Sequence, residues 1–121
     1  MSLKKRIDSF GFAFKGITTL FKTQANARVH GVAIFVVSIA GFFFKINATE
    51  WCFVIASFAT VLAAEALNTA IEFVVDLVSP QYNPLAGKAK DVAAAAVLFT
   101  AIGAFLIGGI IFIPKIYWYL K

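Results

Sequence analysis

The chain has 121 residues, which limits it to one domain, and 61% of those residues are hydrophobic. A water-soluble domain of this size is excluded because it could not bury so much apolar surface, so lipid is the expected solvent. The net charge of +5 does not indicate a nucleic-acid partner, because the basic residues neither form a long run nor alternate with aromatic residues.

The first predicted element is an amphipathic helix over residues 4–22. Its apolar residues recur at steps of three and four: Ile7, Phe10, Phe14, Ile17 and Phe21. Most of its lysines fall on the rest of the helical circumference. This pattern predicts a helix in the membrane interface, with its aromatic side in lipid. An ordinary soluble amphipathic helix is the alternative, and the apolar segments that follow disfavour it.

Three apolar segments then predict transmembrane helices over residues 26–46, 49–78 and 91–117. The second would be about 45 Å long at 1.5 Å per residue, so its end should project beyond a hydrocarbon layer of about 30 Å. A loop over residues 79–90 is predicted by Ser79-Pro80, Asn83-Pro84 and Gly87. Asn47 or Thr49, in the short turn before the second span, should cap the N-terminus of that helix.

Three spans place the two termini on opposite sides of the membrane. Eight of the eleven Lys and Arg residues lie in the N-terminal segment and the loop after the second span. The positive-inside rule therefore predicts a multi-pass protein of the bacterial cytoplasmic (inner) membrane, with the N-terminus and this loop in the cytoplasm.

The informative segment is a polar stripe on the second predicted span: Glu65, Asn68, Thr69, Glu72 and Asp76. At about 100° per residue, these five residues fall within about a third of the helical circumference. Each carboxylate costs about 2.5–3.5 kcal/mol to place in a membrane helix. The stripe must therefore face protein, water or cations.

Three interpretations of the stripe compete. Polar residues that join helices would explain Asn68 and Thr69 but not three acids. An ion or proton pathway is the usual reason for acids inside a membrane, and an oligomeric ion-conducting protein remains the alternative function. A catalytic site for magnesium-bound nucleotide is favoured, because Lys88 and Lys90 supply positive charge next to the acids.

The sequence at this point resembles the prokaryotic diacylglycerol kinase family. The resemblance rests on the segment from Glu65 to Glu72 with Asp76 after it, on Lys88-Ala89-Lys90-Asp91, and on Ala93-Ala94-Ala95. It extends to residues 11–16 and 26–30, and so covers nearly the whole chain. The family implies an all-α homotrimer of three-span subunits with an N-terminal surface helix. Its active sites lie between subunits at the cytoplasmic face, where MgATP phosphorylates a lipid hydroxyl.

The resemblance also implies roles for single residues. Glu65 matches the general base, and phosphoryl transfer needs positioning and charge neutralisation more than covalent help. Asn68 would orient the base or the substrate, and Glu72 matches a metal ligand. Lys90 matches a catalytic residue that contacts phosphate. Asp76 is the family's structural acid, expected to pair with a lysine.

Further matches concern binding of the two substrates. The nucleotide-side positions are Lys5, Phe12, Gln24, Glu72, Gln81, Tyr82, Asn83, Lys90 and Asp91. The lipid-side positions are Asn26, Arg28, His30, Glu65 and Ala94. For His30, a hydrogen-bonding role at the interface is an alternative to a catalytic one.

One position departs from the family pattern. A second metal-binding glutamate is expected where this chain has Gln24. Glutamine keeps an oxygen ligand but loses the charge, which predicts weaker metal binding and turnover whether it is a natural variant or an inactivating substitution.

The resemblance defines the lipid substrate less specifically than it defines the reaction. The Glu50-Trp51 pair and Arg28-Val29-His30 are more similar to the undecaprenol kinase branch than to the diacylglycerol kinase branch. Undecaprenol is therefore favoured over diacylglycerol as the lipid alcohol. The 14 phenylalanines would line the path of this long polyprenyl chain or merely face lipid.

Overall fold

The computed structural model describes residues 2–121, and these residues form four α-helices and no strand. The helices are α1 (Leu3–Thr23), α2 (Ala25–Phe43), α3 (Ala48–Val78) and α4 (Pro84–Leu120). Helices α2, α3 and α4 are each long and apolar enough to cross a membrane. The predicted all-helical fold with three apolar helices is confirmed.

Helix α3 is the centre of the bundle. It packs along α4 and, over a shorter length, against α2, whereas the backbones of α2 and α4 do not approach each other. Helix α1 contacts α2 and α3, and Leu20 is its one buried residue. Most large apolar side chains stay exposed, such as Phe35, Phe99 and Phe105. An outward apolar surface of this extent fits a protein surrounded by lipid.

The predicted end of the first span at residue 46 is wrong, because α2 stops at Phe43 and the chain reverses over residues 44–47. Lys45 takes the left-handed conformation, with φ of 53°, and the Ile46 amide donates to the Gly41 carbonyl at 3.1 Å. Of the two predicted caps, Asn47 is the one used. Its side chain accepts from the Glu50 amide, and the Glu50 carboxylate accepts in return from the Asn47 amide.

Gly41 permits the close approach of α2 and α3 at this turn. A Cβ atom on Gly41 would lie 2.6 Å from Cη2 and 2.8 Å from Cζ2 of Trp51. The indole also contacts the Phe42 ring, with a centroid distance of 4.9 Å. Trp51 is therefore a packing residue of the turn, and only glycine fits beneath it.

Helix α4 begins at Pro84 and ends at Leu120. Residues 84–90, predicted as loop, are therefore helical, and the helix is longer than the predicted third span over 91–117, which lies within it. The Asn83 side chain caps the helix by accepting from the Leu85 amide at 2.9 Å. Proline follows at the first helical position, where its missing N–H has no intrahelical partner to lose. The pair Asn83-Pro84 thus starts a helix rather than extending a loop. Helix α1, at Leu3–Thr23, is slightly longer than the helix predicted over residues 4–22.

Candidate active site

Four polar residues of α3 lie on its buried face: Ser57, Glu65, Asn68 and Thr69. This face consists of Val54, Ser57, Val61, Ala64, Glu65, Asn68 and Thr69. The steps of three, four and one are those of a single helical face. Glu65 is only 1% exposed and, with Val54, is one of the two largest fully buried side chains. The first turn of the predicted stripe therefore faces protein and not lipid.

The Glu65 carboxylate is held by few contacts. Its Oε2 atom lies 3.7 Å from Nε2 of His30 on α2, and it has no hydrogen-bond partner. The Thr69 hydroxyl donates to the backbone carbonyl of Glu65 at 2.9 Å and leaves the carboxylate free. Oδ1 of Asn68 is likewise buried without a partner. Two oxygen acceptors on neighbouring turns thus remain available to a ligand.

The later acids of the stripe approach the N-terminal part of α4. Glu72 is half-buried and Asp76 is exposed. The Lys90 ammonium donates to Oδ1 of Asp76 at 2.6 Å, which confirms the expected pairing of Asp76 with a lysine. Lys90 lies on a helix and not on a loop, because α4 begins at Pro84. The pair therefore joins the end of α3 to the start of α4.

The other residues predicted on the nucleotide side, together with Asn26 and Ala94 of the predicted lipid side, lie at the protein surface. Exposed side chains are found at Lys5, Phe12, Asn26, Gln81, Tyr82, Asn83, Asp91 and Ala94. Within residues 2–121, no side-chain hydrogen bond or ion pair joins any of them to Glu65, Glu72 or Lys90. A single chain therefore brings Asp76 and Lys90 together but leaves these residues at the periphery.

The junction between α1 and α2 is fixed by Arg28. Its Nη1 atom donates to the carbonyls of Phe21 at 2.9 Å and Lys22 at 3.1 Å. A cation at these last carbonyls also offsets the negative end of the α1 dipole. Gln24 lies in the junction, and its Nε2 atom donates to the Thr23 hydroxyl at 3.1 Å. The predicted lipid contact of Arg28 remains a prediction.

An apolar cavity of about 510 Å³ lies between α2 and α4, with residues of α3 between them. Its residues include His30, Ile34, Val37, Val54, Ser57, Phe58, Val61, Ala104, Gly108 and Phe112. His30 both lines the cavity and faces the Glu65 carboxylate. Phe105 and Ile113 at its margin are 83% and 67% exposed, so the cavity borders the outer surface of the bundle.

The contact between His30 and Glu65 and this cavity were not predicted from the sequence. The one available signal was that His30 is the only ionisable residue in the apolar segment 29–44. Helical periodicity places a residue on a face of its own helix, but it does not give the register between two helices. That register is set here by the turn over residues 44–47.

Within residues 2–121, no three His, Cys, Asp or Glu side chains are grouped as a metal site. The predicted ligands Glu72 and Gln24 lie on α3 and at the end of α1, respectively. An ion bound here would need further oxygen ligands from water or from a phosphate-bearing substrate.

Comparison with known proteins gives consistent matches. Residues 11–112 match the family model described as prokaryotic diacylglycerol kinase. An undecaprenol kinase of Bacillus subtilis is 38% identical over 114 residues, covering 94% of this chain and 93% of that protein. A diacylglycerol kinase of Synechocystis is 38% identical, covering 89% of this chain and 62% of that protein. The diacylglycerol kinase of Escherichia coli K12 is 34% identical, covering 83% and 82%.

Proposed function

The chain belongs to the prokaryotic diacylglycerol kinase family, and on this premise we propose that it transfers the γ-phosphate of MgATP to the hydroxyl of a membrane lipid alcohol. One observation carries the proposal. Glu65 is a buried carboxylate with a free oxygen, and that oxygen lies 3.7 Å from His30, which lines an apolar cavity between two apolar helices. A lipid alcohol has the matching chemistry, since its chain is apolar and its single reactive group is a hydroxyl.

Glu65 is the proposed general base. It accepts the proton of the lipid hydroxyl while the hydroxyl oxygen forms a bond to the γ-phosphorus of ATP. The bond between that phosphorus and the bridging oxygen breaks, and ADP leaves with the bond's electron pair. Asn68 is one turn away on the same buried face, and its side-chain amide is the proposed group that orients the attacking hydroxyl. Positioning of this kind lowers the barrier without covalent chemistry.

Lys90 is the proposed phosphate contact. In the free chain its ammonium is paired with Asp76 at 2.6 Å, in an exposed position. An exposed ion pair is only weakly favourable, so the ammonium can exchange this partner for a phosphate at little cost. Asp91, Lys5, Phe12, Gln81, Tyr82 and Asn83 are the proposed further nucleotide contacts.

The donor set on α3 suits a magnesium-bound nucleotide. Glu72 is a half-buried carboxylate near the end of α3. Oxygen ligands are those that Mg²⁺ prefers, and one or two carboxylates together with substrate phosphates are sufficient to hold it. Glu72 would bind the ion, with Gln24 as a neutral and weaker partner. When bound, the ion supplies positive charge to the β- and γ-phosphates.

The apolar cavity lined by His30 is the proposed path of the lipid chain, with His30, Asn26, Arg28 and Ala94 toward the head group. We favour undecaprenol over diacylglycerol. The support is the undecaprenol kinase of Bacillus subtilis, whose similarity covers nearly the whole of both chains. Trp51 adds less to this preference than its sequence position indicates, because its indole packs on Gly41.

We propose a homotrimer in the bacterial inner membrane, with α1 in the interface and the N-terminus and active site in the cytoplasm. Three observations support this arrangement. The apolar surface of one chain is largely exposed, two buried acceptors lack partners, and the predicted nucleotide residues lie at the periphery. Neighbouring subunits would complete the site. A monomer or dimer in analytical ultracentrifugation of the detergent-solubilised protein would contradict the trimer.

The test is a transfer assay in detergent micelles with ATP labelled at the γ-phosphate. Undecaprenol and diacylglycerol are offered separately, and the Gln24→Glu variant is assayed beside the unchanged chain. We expect label in the lipid fraction, more with undecaprenol, and a lower magnesium requirement for Gln24→Glu. Absence of label from both lipids with both proteins would overturn the kinase function. Faster labelling of diacylglycerol would overturn only the substrate preference.

A further inference from the structure

His30 is the one basic side chain within 4 Å of the Glu65 carboxylate among residues 2–121. The two residues lie on different helices, α2 and α3, so their approach is a consequence of helix packing and not of chain neighbourhood. Glu65 is 1% exposed and the His30 side chain is 21% exposed. The imidazole therefore reaches the edge of the bundle, while the carboxylate lies inside it.

The buried carboxylate lacks a group that holds it in place. Oε2 has no hydrogen-bond partner, and the Thr69 hydroxyl bonds to the Glu65 backbone and not to its side chain. Asn68 does not fill this role through its Oδ1 atom, because a carbonyl oxygen is an acceptor only. A buried carboxylate without hydrogen bonds is costly, and a general base needs a defined orientation to be efficient.

We infer that His30 is the positioning residue of Glu65, an inference that rests on the proposed kinase function. The imidazole Nε2–H donates a hydrogen bond to Oε2, which leaves Oε1 free to accept the proton of the lipid hydroxyl. The observed separation of 3.7 Å needs to shorten by about 0.5–1 Å to reach hydrogen-bond length, which is within the reach of a ring rotation. His30 keeps its own proton, and the proton of the alcohol goes to Glu65.

The position of His30 also connects the base to the substrate. The same ring lines the apolar cavity proposed for the lipid chain. A chain seated there would cover the exposed part of the imidazole and exclude water from the pair. Low polarity strengthens hydrogen bonds to a charged acceptor. Lipid binding would thus tighten the contact that orients the base.

Mutational kinetics test this role. In His30→Leu the apolar lining is kept and the donor is lost, and we expect a turnover number about 10- to 100-fold lower, as when a supporting hydrogen bond to a functional ligand is removed. The KM for ATP should be unchanged. His30→Gln restores an N–H donor and should recover most of the loss. Ser38→Ala on the same helix is the matched control, because the Ser38 hydroxyl bonds only to the Ile34 carbonyl.

A double variant separates positioning from packing. If His30 acts through Glu65, His30→Leu combined with Glu65→Gln should be no slower than Glu65→Gln alone. Losses that multiply, or an unchanged turnover number in His30→Leu, would overturn the inference while leaving kinase activity of the unchanged chain in place. Failure of the kinase function itself would appear differently, as an inactive unchanged chain.

A spectroscopic measurement tests the contact without any activity. His30 is the only histidine of the chain, so its imidazole nitrogen signals in a ¹⁵N NMR spectrum need no further assignment. We expect the Nε2 resonance of the full-length protein in micelles to shift on Glu65→Gln and to stay in place on Glu72→Gln. An Nε2 signal insensitive to Glu65→Gln would overturn the inference whether or not the protein is active.

Discussion

The two ends of helix α3 are built in opposite ways. At the turn end, which comprises residues 41–54 and 107–119, an apolar core is packed and a helix cap and an ion pair are formed. At the site end, from Glu65 to Val78 with Lys90 beside it, buried oxygens lack partners and the ion pair is exposed. One helix therefore contributes to a packed apolar core at one end and carries buried oxygens without hydrogen-bond partners at the other.

The turn end combines several kinds of stabilising contact. Its core consists of Ile46, Val54, Ile111 and Phe112. Around it are the Asn47 cap and an ion pair between Lys115 and Glu50 at 2.9 Å. Phe44 and Tyr119 add an edge-to-face aromatic contact between α2 and α4. These contacts join all three long helices at one place.

The difference indicates that the contacts that stabilise the fold and the residues of the proposed active site lie at opposite ends of α3. Groups that bind a ligand must be left unsatisfied in the free protein, and they lower its stability. The turn end compensates for them at a distance. Substitutions at the site end should therefore reduce activity without unfolding the protein, and substitutions at the turn end should do the reverse.

The largest expected effect is that of Glu65→Gln at the site end. Loss of the general base should lower lipid phosphorylation about 10²- to 10⁴-fold. The thermal midpoint in micelles should not fall, because glutamine keeps a side-chain oxygen that can accept from His30 and removes a buried charge that is costly to desolvate. Nucleotide binding, followed by equilibrium dialysis, should persist.

Glu72→Gln is the comparison variant for that experiment, since it should weaken magnesium-dependent nucleotide binding. If Glu65→Gln still phosphorylates the lipid, Glu65 is not the general base. Loss of nucleotide binding in Glu65→Gln would mean that the roles of base and metal ligand are assigned to the wrong acids.

A smaller effect, on stability alone, is expected for Gly41→Ala at the turn end. The new methyl group would meet the Trp51 ring at 2.6 Å, and overpacking of this kind costs about 1–3 kcal/mol. The free energy of unfolding should fall in a denaturant titration in micelles. Phosphorylation per folded molecule should be unchanged.

Gly103→Ala is the matched control, because a Cβ atom there meets nothing within 4 Å. It should be neutral or slightly stabilising, since alanine favours helix more than glycine does. Replacing Trp51 by Leu in the Gly41→Ala background should restore part of the loss. Equal stability of Gly41→Ala and Gly103→Ala would contradict the close packing of the turn.

The smallest effect is expected for Asn47→Ala, which removes the cap of α3. Loss of an N-cap costs about 1 kcal/mol. Asn47→Asp keeps the capping oxygen and should retain the stability of the unchanged chain. A fall of lipid phosphorylation per folded molecule in Asn47→Ala would show that the two ends are coupled, against the separation described above.

Much of the architecture was predictable because it depends on composition and period. The apolar segments predicted three long helices, and the angular position of Glu65 and Asn68 predicted a shared face that is indeed buried. Asn47 was one of two predicted caps. These features are local, so a residue and its near neighbours determine them.

The errors came from residues whose effect depends on position. Pro84 was interpreted as a helix breaker, although at a first helical position proline favours the helix. The neighbours of Glu65 were not predictable, because the contact with His30 depends on how α2 packs against α3. The proposed roles of the peripheral residues depend on partner subunits, which lie outside what one chain determines.

The start of α4 at Pro84 has a consequence for how nucleotide is received. Lys88, Lys90 and Asp91 project from a stiff rod whose place is set by its packing along α3. If these residues bind nucleotide as proposed, their backbone is already ordered before ATP arrives, and the Lys90 side chain leaves Asp76 for the phosphate. Little backbone freedom is then lost when the triphosphate docks.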